Sequence, residues 1–177
     1  MLSLFKVKRS FYLNKLLQEV QMQGDKQVID ALNDTLMAEL TAINIYYIHY
    51  KMQDNWEFKK LGQHSREESM GEMKHGDKLI ERILFLEGTP NMAKYDEILV
   101  GDTCEKQLKN QYTIETRHVE RLRAHIQLCI NKKDFGTKEL LDHILDETED
   151  SVDWLETQFQ RIKDIGIQNY LAEHMHE

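Results

Sequence analysis

Apolar residues recur every three to four positions along four long segments of this 177-residue chain, and that period is typical of amphipathic helices. The first segment begins after Asp25, a candidate N-cap, and extends to about residue 57. Its stripe comprises Val28, Leu32, Leu36, Leu40, Ile43, Tyr47 and Tyr50. With a single proline and eight glycines, the chain has few places for the turns of a sheet. We therefore predict an all-α fold.

The second predicted helix covers about residues 61–86 and stops before Gly88 and Pro90. Residues 88–102 show no clear period. A connection of that length is more than two antiparallel neighbours need, so it predicts a crossover from one helical pair to the other.

The third helix is predicted to open with a capping box formed by Asp102 and Glu105, and to end near Lys133. A fourth helix follows and stops at Gly166, and the tail from Ile167 fits one short fifth helix. The expected architecture is a four-helix bundle with one long crossover and a short C-terminal helix.

Composition excludes several classes of partner. The formal charge of −8 argues against nucleic acid, and no apolar run approaches the roughly 20 residues that a membrane helix needs.

Cys104 and Cys129 are isolated and have neither CxxC spacing nor a disulfide framework. Buried thiols in a reducing compartment are expected, which favours the cytoplasm.

Residues 1–21 differ in character from the rest of the chain. Basic residues precede the first acid, Glu19, in this segment: Lys6, Lys8, Arg9 and Lys15. The pattern is similar to a basic amphipathic presequence. We favour the competing interpretation, an upstream start codon, because Met22 opens an ordinary N-terminus directly before a strong helix. We predict an N-terminal extension at 1–21 and one domain at 22–177.

Four ionisable residues interrupt the core-facing stripes: Glu39, Glu72, His75 and Glu115. Glu72 and His75 are three apart and share one helical face. Unpaired charge in a core costs several kcal/mol, on the order of the buried-ion penalty, so a cation is the simplest compensation. Carboxylate and imidazole ligands suit iron or manganese and can also hold zinc.

The fourth helix does not complete this set. A di-iron bundle takes one Glu from each of two helices and a Glu-x-x-His pair from each of the other two. Thr148 and Ser151 stand where the second pair would belong. Glu147 and Glu149 flank Thr148, but each is turned by about 100° on a regular helix, so a local bulge would be needed to direct either inward. Half of a dinuclear site is predicted.

Longer strings of the chain resemble the bacterioferritins. They are Met22-Gln-Gly-Asp, ELTAINIYYIH at 39–49, EMKHGDKLIERILFLEGTPN at 72–91, DWLETQ and GIQNYL. The resemblance covers residues 22 to about 175. It implies a ferritin-like bundle whose subunits form a hollow shell of twenty-four and store iron as a ferric mineral.

The resemblance also implies haem b at two-fold interfaces, one per two subunits, with an axial methionine from each. Met73 is the matching residue, and because it is rotated by about 100° from Glu72 it must face away from the internal site. Five further residues are expected to line that interface by resemblance: Leu40, Ile43, Asn44, Tyr47 and Met70.

The family's ferroxidase centre has six ligands, of which four are matched here. By family roles, Glu39 and His75 would hold one iron, Glu72 would bridge, and Glu115 would keep part of the other. Thr148 then replaces the second bridging carboxylate, and Ser151 replaces the second imidazole. Tyr46 matches a tyrosine near that centre, and core packing explains it equally well.

Three functions are consistent with this pattern. The first is a haem-binding iron-storage subunit with an incomplete centre, which depends on a second bacterioferritin subunit or on slow mineral-surface chemistry for oxidation. The second is a working ferroxidase whose bulged fourth helix supplies Glu147 or Glu149 and Asp150. The third is a haem-carrying structural or electron-transfer subunit of a mixed shell. A ferredoxin-type reductant is a further expected partner.

Overall fold

The structure, a computed structural model, describes residues 23–175, and these form five α-helices. They are α1 (Lys26–Asn55), α2 (Lys59–Phe85), α3 (Cys104–Lys132), α4 (Phe135–Ile165) and α5 (Ile167–Ala172). No β-strand occurs between residues 23 and 175, which confirms the all-α prediction. The extension predicted at 1–21 lies outside the described residues.

The four long helices form two pairs. α1 packs chiefly against α2 and α3 chiefly against α4, while contacts between α1 and α3 and between α2 and α4 join the pairs. The segment between α2 and α3 contains no helix, as expected for the crossover. The predicted four-helix bundle with a short fifth helix is confirmed.

One predicted helix cap agrees with the structure and another differs from it. The Asp25 carboxylate caps α1 by accepting from the Gln27 backbone N–H at 2.8 Å. The capping box expected at Asp102 is wrong by one residue, because Thr103 has the extended backbone of an N-cap and accepts from the Lys106 N–H at 3.2 Å. Asp102 instead pairs with the Lys106 side chain at 2.7 Å.

Two apolar clusters fill the bundle on either side of a polar layer. The larger is built from buried residues of all four long helices: Val28, Leu32, Leu36, Leu40, Leu79, Ile83, Leu86, Leu122, Cys129, Leu141 and Ile144. The second lies at the other end, beneath α5, and contains Leu61, Cys104, Leu108, Leu155 and Tyr170. On α2 and α3, the predicted metal-site residues lie between members of the two clusters along the helix.

Hydrogen bonds between side chains of α1 and the backbone of the crossover hold the crossover along α1. The Thr41 hydroxyl accepts from the Asp96 N–H at 2.9 Å, and His49 Nε2 lies 3.1 Å from the Leu99 carbonyl oxygen. These bonds satisfy backbone N–H and C=O groups of a segment that has no regular secondary structure.

Both thiols are buried and unbridged, as predicted for Cys104 and Cys129. Within residues 23–175, no helix is both long and apolar enough to cross a membrane.

Candidate metal centre

Glu39 lies at the middle of α1 and is fully buried. Its two carboxylate oxygens face different imidazoles. Oε1 lies 3.0 Å from His118 Nε2 on α3, and Oε2 lies 3.6 Å from His75 Nδ1 on α2. A buried carboxylate is thus placed between two helices that both offer nitrogen ligands.

Glu72 and His75 share the inward face of α2, because they are one helical turn apart. Glu72 Oε2 lies 3.0 Å from His75 Nδ1. Ligand atoms of Glu39, Glu72 and His75 all lie within 4.8 Å of one another, so these three residues can hold one metal ion. The structure therefore brings together three of the four predicted ligands.

Glu115 is buried on α3 but lies outside this three-residue group. The Tyr46 hydroxyl donates to its Oε1 at 2.6 Å. Tyr46 is itself almost completely buried, so it both packs in the core and holds this carboxyl.

The two residues of α4 at the expected ligand positions make bonds elsewhere. Thr148 is buried and donates to the Ile144 carbonyl of its own helix at 2.7 Å. The Ser151 hydroxyl donates to Glu68 Oε2 at 2.9 Å. Thr148 thus faces the core as predicted, and neither hydroxyl contacts the Glu39–Glu72–His75 group in these bonds.

Glu147 departs from the sequence-based expectation. Its Oε2 contacts His75 Nε2 at 2.5 Å, although α4 is regular there and has no bulge. The glutamate side chain is long enough to reach His75, although Glu147 is turned by about 100° from the inward face of α4. Glu149 does point away and pairs with Arg123 at 2.7 Å.

His118 is a residue of this centre that the sequence analysis missed. It is buried against Glu39, and it follows Glu115 by three positions, the same spacing that joins Glu72 to His75. That spacing was the signal that could have identified it.

The buried charges of the centre shift one another strongly. The pKa of Glu39 would rise with burial, but its neighbouring imidazoles hold it far below the usual range. Burial and the charge of Glu39 raise the pKa of Glu72 well above its usual range, and burial raises that of Glu115 to about 8. Burial opposes charge on His75, yet its contacts with Glu39 and Glu72 raise its pKa to about 11. A divalent cation would displace protons from such a cluster.

A cleft of about 360 Å³ between α2 and α4 leads to Glu72 and His75. Most of the ionisable side chains along it are acidic: Glu67, Glu68, Glu147 and Asp150 border it together with His64. An acidic cleft raises the local concentration of cations at the mouth of the centre.

Met73 lies on a different face of α2 from Glu72, as predicted. Met73 and Met70 are 44% and 50% exposed, whereas Glu72 is 7% exposed. On α1, Tyr47 is 54% exposed and packs edge-on against Tyr50. Leu40 is buried in the larger apolar cluster and Ile43 packs against it partly buried, so these two residues differ from the exposed ones expected at this interface.

The fold and this centre place the chain in a class of helical metal-binding proteins. A ferritin-like domain model matches residues 29–165. A bacterioferritin of Mycolicibacterium paratuberculosis is 41% identical over 152 residues, which cover 86% of this chain and 96% of that protein. Bacterioferritin BfrA of Mycobacterium tuberculosis is 40% identical with the same coverage. A bacterioferritin of Streptomyces coelicolor is 38% identical, covering 85% of this chain and 90% of that protein.

The chain belongs to the bacterioferritin family, as its sequence motifs indicated.

Proposed function

We propose that this chain is an iron-storage subunit of the bacterioferritin type, with haem b and an incomplete dinuclear centre. The observation that carries the proposal is the buried Glu39–Glu72–His75 group beside an α4 that presents Thr148 and Ser151. Copies of the chain assemble into the family's hollow shell of twenty-four subunits, in which iron is the cargo.

The donor set supports iron as the ion. Two carboxylates and one imidazole suit Fe²⁺, and Glu39 Oε2 is a buried acceptor without a hydrogen-bond partner among the described residues. Such an atom is costly to bury unless something binds it.

The same geometry supports slow oxidation. A pair of metal ions clamped together by shared ligands is the arrangement that passes two electrons to dioxygen, and the hydroxyls of Thr148 and Ser151 are engaged elsewhere. The subunit then depends on a second bacterioferritin subunit with an intact centre, or on the surface of the growing mineral.

Met73 supports the haem assignment. Arg66, Met70 and Met73 follow one another at helical spacing on the exposed side of α2, and Arg66 lies 5.9 Å from the centroid of the Tyr50 ring on α1. This sulfur-bearing surface suits a haem between two subunits, which Met73 from each subunit would hold. A bound haem would accept and donate one electron at a time.

One observation favours a working ferroxidase as the second candidate. The contact between Glu147 and His75 brings an oxygen donor from α4 to the centre without a bulge. In that case Glu147→Gln should slow iron oxidation, and an unchanged rate would dismiss the alternative.

We further propose a cytoplasmic location, which the two buried unbridged thiols support, and a ferredoxin-type reductant for iron release. Neither nucleic acid nor a membrane is a proposed partner, and the net charge of −8 supports the first exclusion.

The test is a visible spectrum of the pure protein followed by an Fe²⁺ oxidation progress curve in air. We expect haem absorbance, a slow curve with no fast initial phase, and an electron-dense core that co-elutes with the shell. A fast phase that consumes two irons per subunit would contradict the incomplete centre. Shells with haem but without cores would favour the electron-transfer function.

A further inference from the structure

We propose that Glu147 is a positioning residue of the metal centre, which holds the His75 ring through Nε2 while Nδ1 binds the ion. The inference rests on the proposed function, since it concerns how the same single-ion centre is held. It gives Glu147 a role other than that of the metal ligand that a working ferroxidase would need.

One ring nitrogen of His75 faces the other two residues of the metal group. Nδ1 lies 3.0 Å from Glu72 Oε2 and 3.6 Å from Glu39 Oε2. Two atoms that each bind one ion at about 2.1 Å, at an angle between right-angled and tetrahedral, are roughly 3.0–3.4 Å apart. The three atoms are therefore spaced close to the separation of ligands around one ion, and Nδ1 is the nitrogen that His75 offers to it.

Glu147 contacts the other side of the same ring. Its Oε2 lies 2.5 Å from His75 Nε2. Because Nδ1 and Nε2 point away from each other across the imidazole, a carboxylate bonded to Nε2 lies out of reach of an ion at Nδ1. A histidine that binds a metal commonly donates its other ring N–H to a carboxylate, which fixes the tautomer and the orientation of the ring. Glu147 has the position of that carboxylate.

Glu147 is itself held in this position from the solvent side. Its Oε1 lies 3.3 Å from His143 Nε2, one helical turn earlier on α4. The side chains of Glu147 and His143 are about half exposed, whereas His75 is buried. Each oxygen of the Glu147 carboxylate thus faces one imidazole, and the carboxylate joins a buried metal ligand to the surface of α4.

An ion pair that matters only in the metal-free protein is the competing explanation. In that case Glu147 balances the charge of protonated His75, and the contact favours the proton over a metal ion at this residue. Removal of Glu147 would then tighten metal binding, whereas removal of a positioning carboxylate would weaken it. The two explanations therefore predict opposite signs for the same substitution.

The test is anaerobic titration of the full-length, iron-free protein with Co²⁺ in competition with a chelator, followed by visible ligand-field absorption. We expect Glu147→Ala to weaken Co²⁺ binding by roughly 10- to 100-fold and to alter the absorption of the bound ion, because the His75 ring loses its fixed orientation. Glu147→Gln should restore most of the affinity, because its amide oxygen can still accept from the Nε2–H. Circular dichroism checks that each variant is folded.

Asp150→Ala is the matched control. Asp150 borders the same acidic cleft, but among the described residues it is not one of the ion-pair partners of His75. Its loss should leave the Co²⁺ affinity near that of wild type. Unchanged or tighter binding in Glu147→Ala, an equal loss in Glu147→Gln, or an equal loss in Asp150→Ala would overturn the inference and leave the single-ion centre standing. If wild type binds no Co²⁺, the proposed centre is overturned as well.

Discussion

The side chains of Thr148 and Ser151 form hydrogen bonds with protein groups and do not point their oxygens at the metal site. A threonine on a helix commonly bonds the carbonyl four residues earlier, and Thr148 does this with Ile144. Ser151 binds Glu68 instead. Both hydroxyls therefore bind partners other than the Glu39–Glu72–His75 group, and His75 Nε2 contacts Glu147 instead.

Restoring the family's ligands at these two positions should accelerate oxidation. We expect Thr148→Glu with Ser151→His to raise the initial rate of Fe²⁺ oxidation by roughly tenfold or more, which requires a barrier lower by only about 1.4 kcal/mol. The measurement is stopped-flow absorbance of ferric product in air. The metal-free variant should also unfold at a lower temperature, because Thr148 is buried and a carboxylate would replace it.

The matched control is Thr148→Gln with Ser151→Asn, which adds amide side chains in place of the carboxylate and imidazole. Its rate should stay near that of wild type. Equal acceleration in both double variants would mean that packing, and not ligation, limits oxidation.

At the scale of the elements, the crossover depends on α1 through His49. This side chain is fully buried, with Nδ1 3.0 Å from the Gln111 amide nitrogen and Nε2 3.1 Å from the Leu99 carbonyl oxygen. Both bonds are made by the neutral imidazole, which accepts at Nδ1 and donates at Nε2. Protonation of Nδ1 would break the bond to Gln111.

The free energy of unfolding should consequently fall in mild acid. Burial lowers the pKa of His49 to about 4 from its usual 6.5, so between these values the unfolded chain binds a proton that the folded chain does not. The contribution is complete above about pH 6.5 and is lost as the pH falls toward 4, to a total of about 3 kcal/mol. Urea unfolding of wild type and His49→Gln at several pH values measures it.

The difference in stability between wild type and His49→Gln should shrink over that pH range. His143→Gln provides the control, because the His143 side chain is 52% exposed. A difference between wild type and His49→Gln that stays constant from pH 7 to 4 would contradict the assigned cause.

Across the whole molecule, the two apolar clusters lie on either side of the ionisable centre. Both clusters draw buried residues from several helices, so the bundle has apolar cores that do not involve the metal-site side chains. Conservative substitutions at the centre should therefore leave a folded bundle.

The exposed sulfur-bearing face of α2 gives a prediction for the assembled protein. Met73→Leu keeps an apolar side chain of similar size but removes the thioether, so it should abolish haem binding while the shell still assembles. Visible absorbance and analytical ultracentrifugation of the same sample report the two properties separately.

Met70→Leu is the control on the same face, since Met70 is 50% exposed and lies one turn before Met73. It should retain about one haem per two subunits. Haem retained in Met73→Leu, or lost equally in both variants, would argue against Met73 as the axial ligand.

The sequence predicts which residues of this centre are buried. Helical period placed Glu39, Glu72, His75 and Glu115 on buried faces, and all four are buried. The same period put Thr148 in the core. The capping box missed by one residue, because Thr103 and not Asp102 adopts the extended backbone at the start of α3.

The helices, their inward faces and the empty positions of α4 can be predicted from the sequence, because they follow from local period and residue type. Which inward side chains meet depends on how the helices pack. Glu147 reaches His75, and His118 reaches Glu39, because the depth at which helices pack and the reach of a long side chain are not encoded in the spacing along one helix.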